Sequence, residues 1–264
     1  MKDLIQTNFL SRLHNGKDIF FCKTDYLVKD FDRISKLDNE VILISGNSDY
    51  GITDTLVSQS PKNIKKWFCV NRTSYNDKLV TIPLGIENYS VCRRDGHGYV
   101  WPHVHEKVRL LSQEYDVKPQ EFIYSNFTVG TNVLHRSRVR QIAIGSSHIN
   151  HEDPNKSDYS NYIKQILNHE AVVCPQGNGG VPEGDNHRIY EVLYCGRIPL
   201  TFAKDYYKKI HHKFPVVLLD DPSELEDEKY LREKINEVKS KSFDEKYLTN
   251  KYWESLILKE SESL

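Results

Sequence analysis

At 264 residues, 38% hydrophobic and 28% charged, the chain has apolar side chains for one or two packed cores and polar ones for a solvated surface, which excludes a disordered or fibrous polypeptide. Lys plus Arg number 36 against 37 Asp plus Glu, so a net charge of -1 excludes a global field that gathers nucleic acid or anionic lipid; a polyanion has to be held by a local patch. The opening MKDLIQTNFLSRLHNGKD lacks the apolar stretch of a secretory leader, and no apolar run approaches the ~20 residues of a membrane span, so a soluble, cytoplasmic protein is expected.

In chain order, short apolar runs at Ile19 to Cys22, Val41 to Ser45, Trp67 to Val70 and Leu79 to Leu84 are each followed by polar or helix-like material. Parallel strands buried on both faces have this form, and the spacing leaves room for crossovers. Residues 1–115 are therefore expected to form a first Rossmann-like domain. The pattern breaks at RRDGHGYVWPHVHEK, followed by a polar helix-like segment and Val117-Lys118-Pro119, which reads as a linker or a loop over a cleft. Runs at Phe122 to Val129, Ala171 to Cys174, Ile198 to Phe202 and Val216 to Leu219 restart the rhythm, so residues 116–264 are expected to form a second such domain. Phe243, Tyr247, Trp253 and Ile257 stand at roughly helical spacing near the end and predict an amphipathic C-terminal helix assigned to that second domain.

Five cysteines, Cys22, Cys69, Cys92, Cys174 and Cys195, are odd in number and mostly embedded in strand-like runs, which suits reduced, buried thiols. The spacing of Cys92, His97, His103 and His105 matches no standard zinc pattern. Trp101-Pro102 among them suggests an aromatic platform instead, so Trp101 and His103 are taken as acceptor-binding residues.

The stretch VVCPQGNGGVPEGDNHRIYEVLYCGRIPLTF, Val172 to Phe202, reads as strand, glycine-rich loop, helix and strand. Asp185 or Asn186 is a natural N-cap, Ile189, Val192 and Leu193 form the apolar stripe, and Gly196 sits where a left-handed residue ends a helix. Free amides and the positive helix end at such a loop attract an anion, and Arg188 in the first turn adds a charge-assisted bond to phosphate. Glu191, three residues on, lies on the same helix face and is suited to accept two ribose hydroxyls. A plain Arg188 to Glu191 helix salt bridge is the alternative.

These motifs resemble the donor-site region of exostosin-like glycosyltransferases. The resemblance rests on Pro175, Gly177 and Gly179 in the loop, then His187, Arg188, Glu191, Leu193, Gly196, Ile198 and Pro199, and on Phe214-Pro215 with Asp220-Asp221. The insert Gly180 to Gly184 departs from the family pattern. Asn126-Phe127-Thr128, Thr131-Asn132 and Arg136 are similar to the opening of the family's C-terminal domain, while Ser45 to Tyr50 and Ile82 to Asn88 match more loosely.

The resemblance implies an α/β fold of the GT-B type, two facing Rossmann-like domains with a cleft between them. It also implies inverting, metal-independent transfer of a sugar from a nucleotide-diphosphate sugar such as a UDP-sugar to an acceptor hydroxyl. No cofactor is implied beyond the donor. The donor-binding set is then Arg136, Gly177, Asn178, Gly179, His187, Arg188 and Glu191, with Arg136 beside His135 and Arg138 just past a strand end. Asp49, in a Gly-Asn-Ser-Asp loop after the strand from Val41, is the expected catalytic base, ahead of Asp25, Glu87, His97, His103 and His105. The rival metal-binding Asp30-Phe31-Asp32 precedes a strand instead of following one. A glycan is the default acceptor. A phage- or virus-type enzyme acting on hydroxymethylated DNA bases, in host cytoplasm, is a second reading, which Arg93-Arg94 and the run Arg136 to Arg140 permit; an inactive nucleotide-sugar-binding module is a third.

Overall fold

Runs of Val, Ile, Leu and Phe with no polar alternation bury both of their faces, and that condition is met in a parallel sheet covered on both sides. A computed structural model describes residues 2–89, 103–156, 158–177 and 184–264, and it contains two such sheets. The described residues divide into two compact units, one of residues 3–104 with 246–264 and one of residues 105–245 joined by Lys2.

In the first unit β1 (Ile19–Lys23), β2 (Val41–Gly46), β3 (Ile64–Cys69) and β4 (Leu79–Thr81) lie side by side in chain order, all parallel. Helices α1 (Leu27–Ile34) and α2 (Asp54–Ser58) make the first two crossovers. Every residue of β2 is buried, and one face packs Phe20, Cys22, Leu43, Trp67 and Cys69 against Leu27, Phe31 and Val57. The Trp67 indole N–H donates to the Ser45 hydroxyl at 2.8 Å, which satisfies the one polar atom that ring brings inside.

Gly85 has φ +71° and pairs with Gln6 in an isolated antiparallel bridge, and an added Cβ there would run into the Ile5 carbonyl. Gly85→Ala is expected to lower stability by about 1–3 kcal/mol from backbone strain, with the collision adding to it. Urea unfolding followed by tryptophan fluorescence measures this, and an unchanged midpoint would contradict it.

The second unit opens with α3 (Val104–Leu111) and continues through β5 (Glu121–Ser125), α4 (Val133–Gly145), β6 (Ile149–His151), α5 (Tyr159–Asn168), β7 (His169–Val173), α6 (His187–Tyr194), β8 (Ile198–Thr201), α7 (Lys204–Lys209), β9 (Val217–Leu218) and α8 (Glu228–Lys239). Its five parallel strands have the order β6-β5-β7-β8-β9, the doubly wound order in which the winding direction reverses beside the first strand. The expected α/β rhythm is present in both halves. The edge strand β6 has no apolar run in the sequence, because only Ile149 of its three residues is buried.

The last helix, α9 (Asn250–Ser261), belongs with the first unit, where the sequence reading had placed it in the second. Its side chain Asn250 accepts the Gln6 N–H at 3.2 Å and donates to the Leu4 carbonyl, Asp3 accepts the Lys251 N–H at 2.8 Å, and Arg12 pairs with Glu254. Trp253 and Ile257 are buried, as the helical spacing predicts. Phe243 packs instead on the core of the second unit. The four described cysteines, Cys22, Cys69, Cys174 and Cys195, are buried and form no disulfide, and Cys92 lies outside the described residues. No described helix is long and apolar enough to cross a membrane.

Candidate functional site

In the second unit the winding reversal lies between β5 and β7, and open α/β sheets expose loops for ligands beyond the carboxyl ends of such strands. Asn126 to Thr128 follow β5, and Cys174 to Gly177 follow β7. Arg136, in the first turn of α4, ties the two loops together. Its Nε donates to the Gln176 carbonyl at 2.8 Å, Nη1 to the Thr128 carbonyl at 2.8 Å and Nη2 to the Pro175 carbonyl at 3.2 Å. The side chain is 8% exposed, and among the described residues no carboxylate pairs with it. Burial, and after it the like charge of Arg188, push the guanidinium down to about 10. A buried cation held only by neutral carbonyls is short of a counter-charge, and a bound anion would supply one.

The third wall is the start of α6. Asn186 caps it, its Oδ1 accepting the Ile189 N–H at 3.3 Å, while its Nδ2 is buried with no partner among the described residues. Gly196 ends the helix at φ +67°, in the left-handed position that the sequence predicts. Asp185 is engaged behind the cap, accepting the Asn186 N–H at 2.9 Å, the Tyr190 hydroxyl, and His211 Nε2 at 2.9 Å. Gly177 lies against the Arg136 guanidinium, which is 3.4 Å from where its Cβ would be. His187 is half-buried at the first position of the helix. Asn178 and Gly179 lie outside the described residues.

Arg188 and Glu191 do not form the direct helix salt bridge. Tyr162, on α5, stands between them: Arg188 Nε donates to its oxygen at 3.0 Å, and its hydroxyl donates to Glu191 Oε2 at 3.0 Å. Glu191 Oε1 is paired with Lys107 of α3, and both of these side chains are buried. The sequence reading gives Glu191 two ribose hydroxyls, yet in the fold both oxygens are already engaged. Lys107 and Tyr162 were missed because nothing local marks them; their partners lie 84 and 29 residues away.

Arg138 makes a bidentate pair with Asp221 at 2.8 and 2.6 Å, while Asp220 pairs with Lys204 at 2.8 Å. The Ser223 hydroxyl and backbone N–H, followed by the Arg138 guanidinium, hold the exposed Asp221 carboxyl at about 2, below its ordinary 3.8. A depressed carboxyl stabilises the fold above the ordinary value and loses that contribution as pH falls through the folded value. Its stabilisation should therefore be complete above pH 3.8 and fade towards about 2. An NMR titration of the Asp221 carboxyl carbon should find it low in the wild type and higher in Ser223→Ala; coincident curves would count against this account.

In the first unit Asp49 is exposed in the bend after β2 and makes no hydrogen bond among the described residues. Asp25 is engaged: burial raises its carboxyl, but the Ser48 hydroxyl and the Lys23 ammonium at 3.0 Å outweigh this and leave it below the ordinary value. Both residues lie at the carboxyl edge of their sheet, and Asp49 is the one with an unengaged carboxylate. The Asp30-Phe31-Asp32 triplet lies on α1, where residues two apart diverge. Asp30 is buried against the Cys22 thiol, and Asp32 pairs with Lys36 at 2.6 Å on the surface. Among the described residues no three His, Cys, Asp or Glu side chains converge to hold a metal. His103 is exposed just before α3; Trp101 and His97 lie outside the described residues. No protein-family model matches this chain, and no curated protein matches it.

Proposed function

We propose that the chain is an inverting, metal-independent glycosyltransferase that moves a sugar from a nucleotide-diphosphate donor, UDP-linked in the first instance, to an acceptor hydroxyl. The observation that carries this reading is the pair Arg136 and Arg188, two guanidinium groups with no carboxylate salt-bridge partner among the described residues, at the winding reversal of a parallel sheet and beside the capped start of α6. A diphosphate matches that charge, and Asn186 Nδ2, unpartnered among the described residues, supplies a further donor. On departure the diphosphate gains charge, and fixed guanidinium groups stabilise it without rearranging. The resemblance to exostosin-like enzymes adds a fold of the GT-B type, with Asp49 as the base. Trp101 and His103 would line the acceptor.

The experiment is release of nucleoside diphosphate from a panel of nucleotide sugars, with and without EDTA. Release that survives chelation and increases with a glycan acceptor supports the reading. Release that EDTA abolishes removes the metal-independent mechanism, and stimulation by hydroxymethylated DNA in place of glycans reassigns the acceptor. Thermal stabilisation by UDP should be lost in Arg188→Ala. Equal stabilisation of both proteins would remove Arg188 from the donor site.

A further inference from the structure

We infer that Tyr162 is a positioning residue for the anion site, and that Glu191 acts on a bound diphosphate through Tyr162 instead of gripping a ribose. The inference rests on the donor-site reading above and changes the role of one of its residues.

Burial keeps the Tyr162 phenol protonated, well above its ordinary range, so the hydroxyl has one proton to give. That proton goes to Glu191 Oε2, and the phenol oxygen is left to accept from Arg188 Nε, each at 3.0 Å. The other Glu191 oxygen is held by Lys107, with the two side chains 4% and 6% exposed. The chain of bonds therefore has a direction: Lys107 fixes Glu191, Glu191 orients the Tyr162 hydroxyl, and the hydroxyl fixes Arg188.

A guanidinium is planar, so a bond at Nε sets the plane of the whole fork. The Tyr162 ring, 5.7 Å from the guanidinium carbon, restrains Arg188 further. The two terminal nitrogens are thereby presented in one orientation, and their entropy is already reduced before an anion arrives. A ribose hydroxyl, by contrast, would have to compete with a buried ammonium and a buried phenol for Glu191, and neither of those could reach water.

Inorganic pyrophosphate and UDP separate the two roles, because only UDP carries a ribose. Isothermal titration of the full chain with each ligand compares wild type, Tyr162→Phe, and the paired Lys107→Met/Glu191→Leu variant, which removes both buried charges together. Both variants are expected to weaken pyrophosphate and UDP by the same factor, roughly tenfold, as one charge-assisted contact loses its orientation. Measurement well below each melting temperature keeps the folded fraction constant, so a purely structural role would lower the melting temperature and leave both affinities intact. That result, or a loss confined to UDP in the paired variant, would overturn the inference. Should Tyr162→Phe fail to fold, the paired variant decides alone. Wild-type protein that binds neither ligand would sink the donor-site reading, and this inference with it.

Discussion

Lys107→Met should lower stability by about 3–5 kcal/mol, the cost of leaving a buried carboxylate without its partner. Glu191 is 4% exposed and would keep only the Tyr162 hydroxyl. Lys107→Met/Glu191→Leu removes both charges and should recover most of the loss, because apolar side chains of similar volume avoid the desolvation of the ion pair. Urea unfolding of the single and paired variants at pH 7 measures both outcomes. A single variant with wild-type stability at pH 7 would show that water reaches Glu191 after all.

Arg136→Met should have two effects of comparable size. The carbonyls of Thr128, Pro175 and Gln176 would each lose a donor, at about 1–3 kcal/mol for any that stays buried and dry. The loops after β5 and β7 would no longer be tied to one another. Affinity for pyrophosphate should fall by about 2 kcal/mol or more, roughly thirtyfold, as the buried cation disappears from the site. Arg136→Lys should restore little of either, because an ammonium is a point charge that cannot address three carbonyls from one plane. A lysine variant with wild-type stability and affinity would mean that charge alone, and not the fork, is what this position requires. Calorimetric titration and thermal melting on the three proteins give the answer.

The α/β character, eight of the strands and the capped helix after the glycine-rich loop were legible in the chain, because each depends on residues that are neighbours along it. Asn186 at the cap and Gly196 at the end follow from the conformations those side chains favour, wherever the helix lies. Apolar runs likewise announce strands buried on both faces without saying what will cover them. Tertiary structure decided the remainder. The edge strand β6 is held by its pairing to β5 and carries almost no signal of its own. The C-terminal helix was visible from Trp253 and Ile257, but its place in the first unit depends on Asp3, Leu4, Gln6 and Arg12, some 240 residues earlier. Arg136 and Glu191 were readable as charged residues near a loop; that one is held by three carbonyls and the other by a lysine and a tyrosine depends on contacts between distant segments. Backbone preference and hydrophobic period are properties of a short window, whereas the partner of a buried charge is chosen only when remote parts of the chain are packed together.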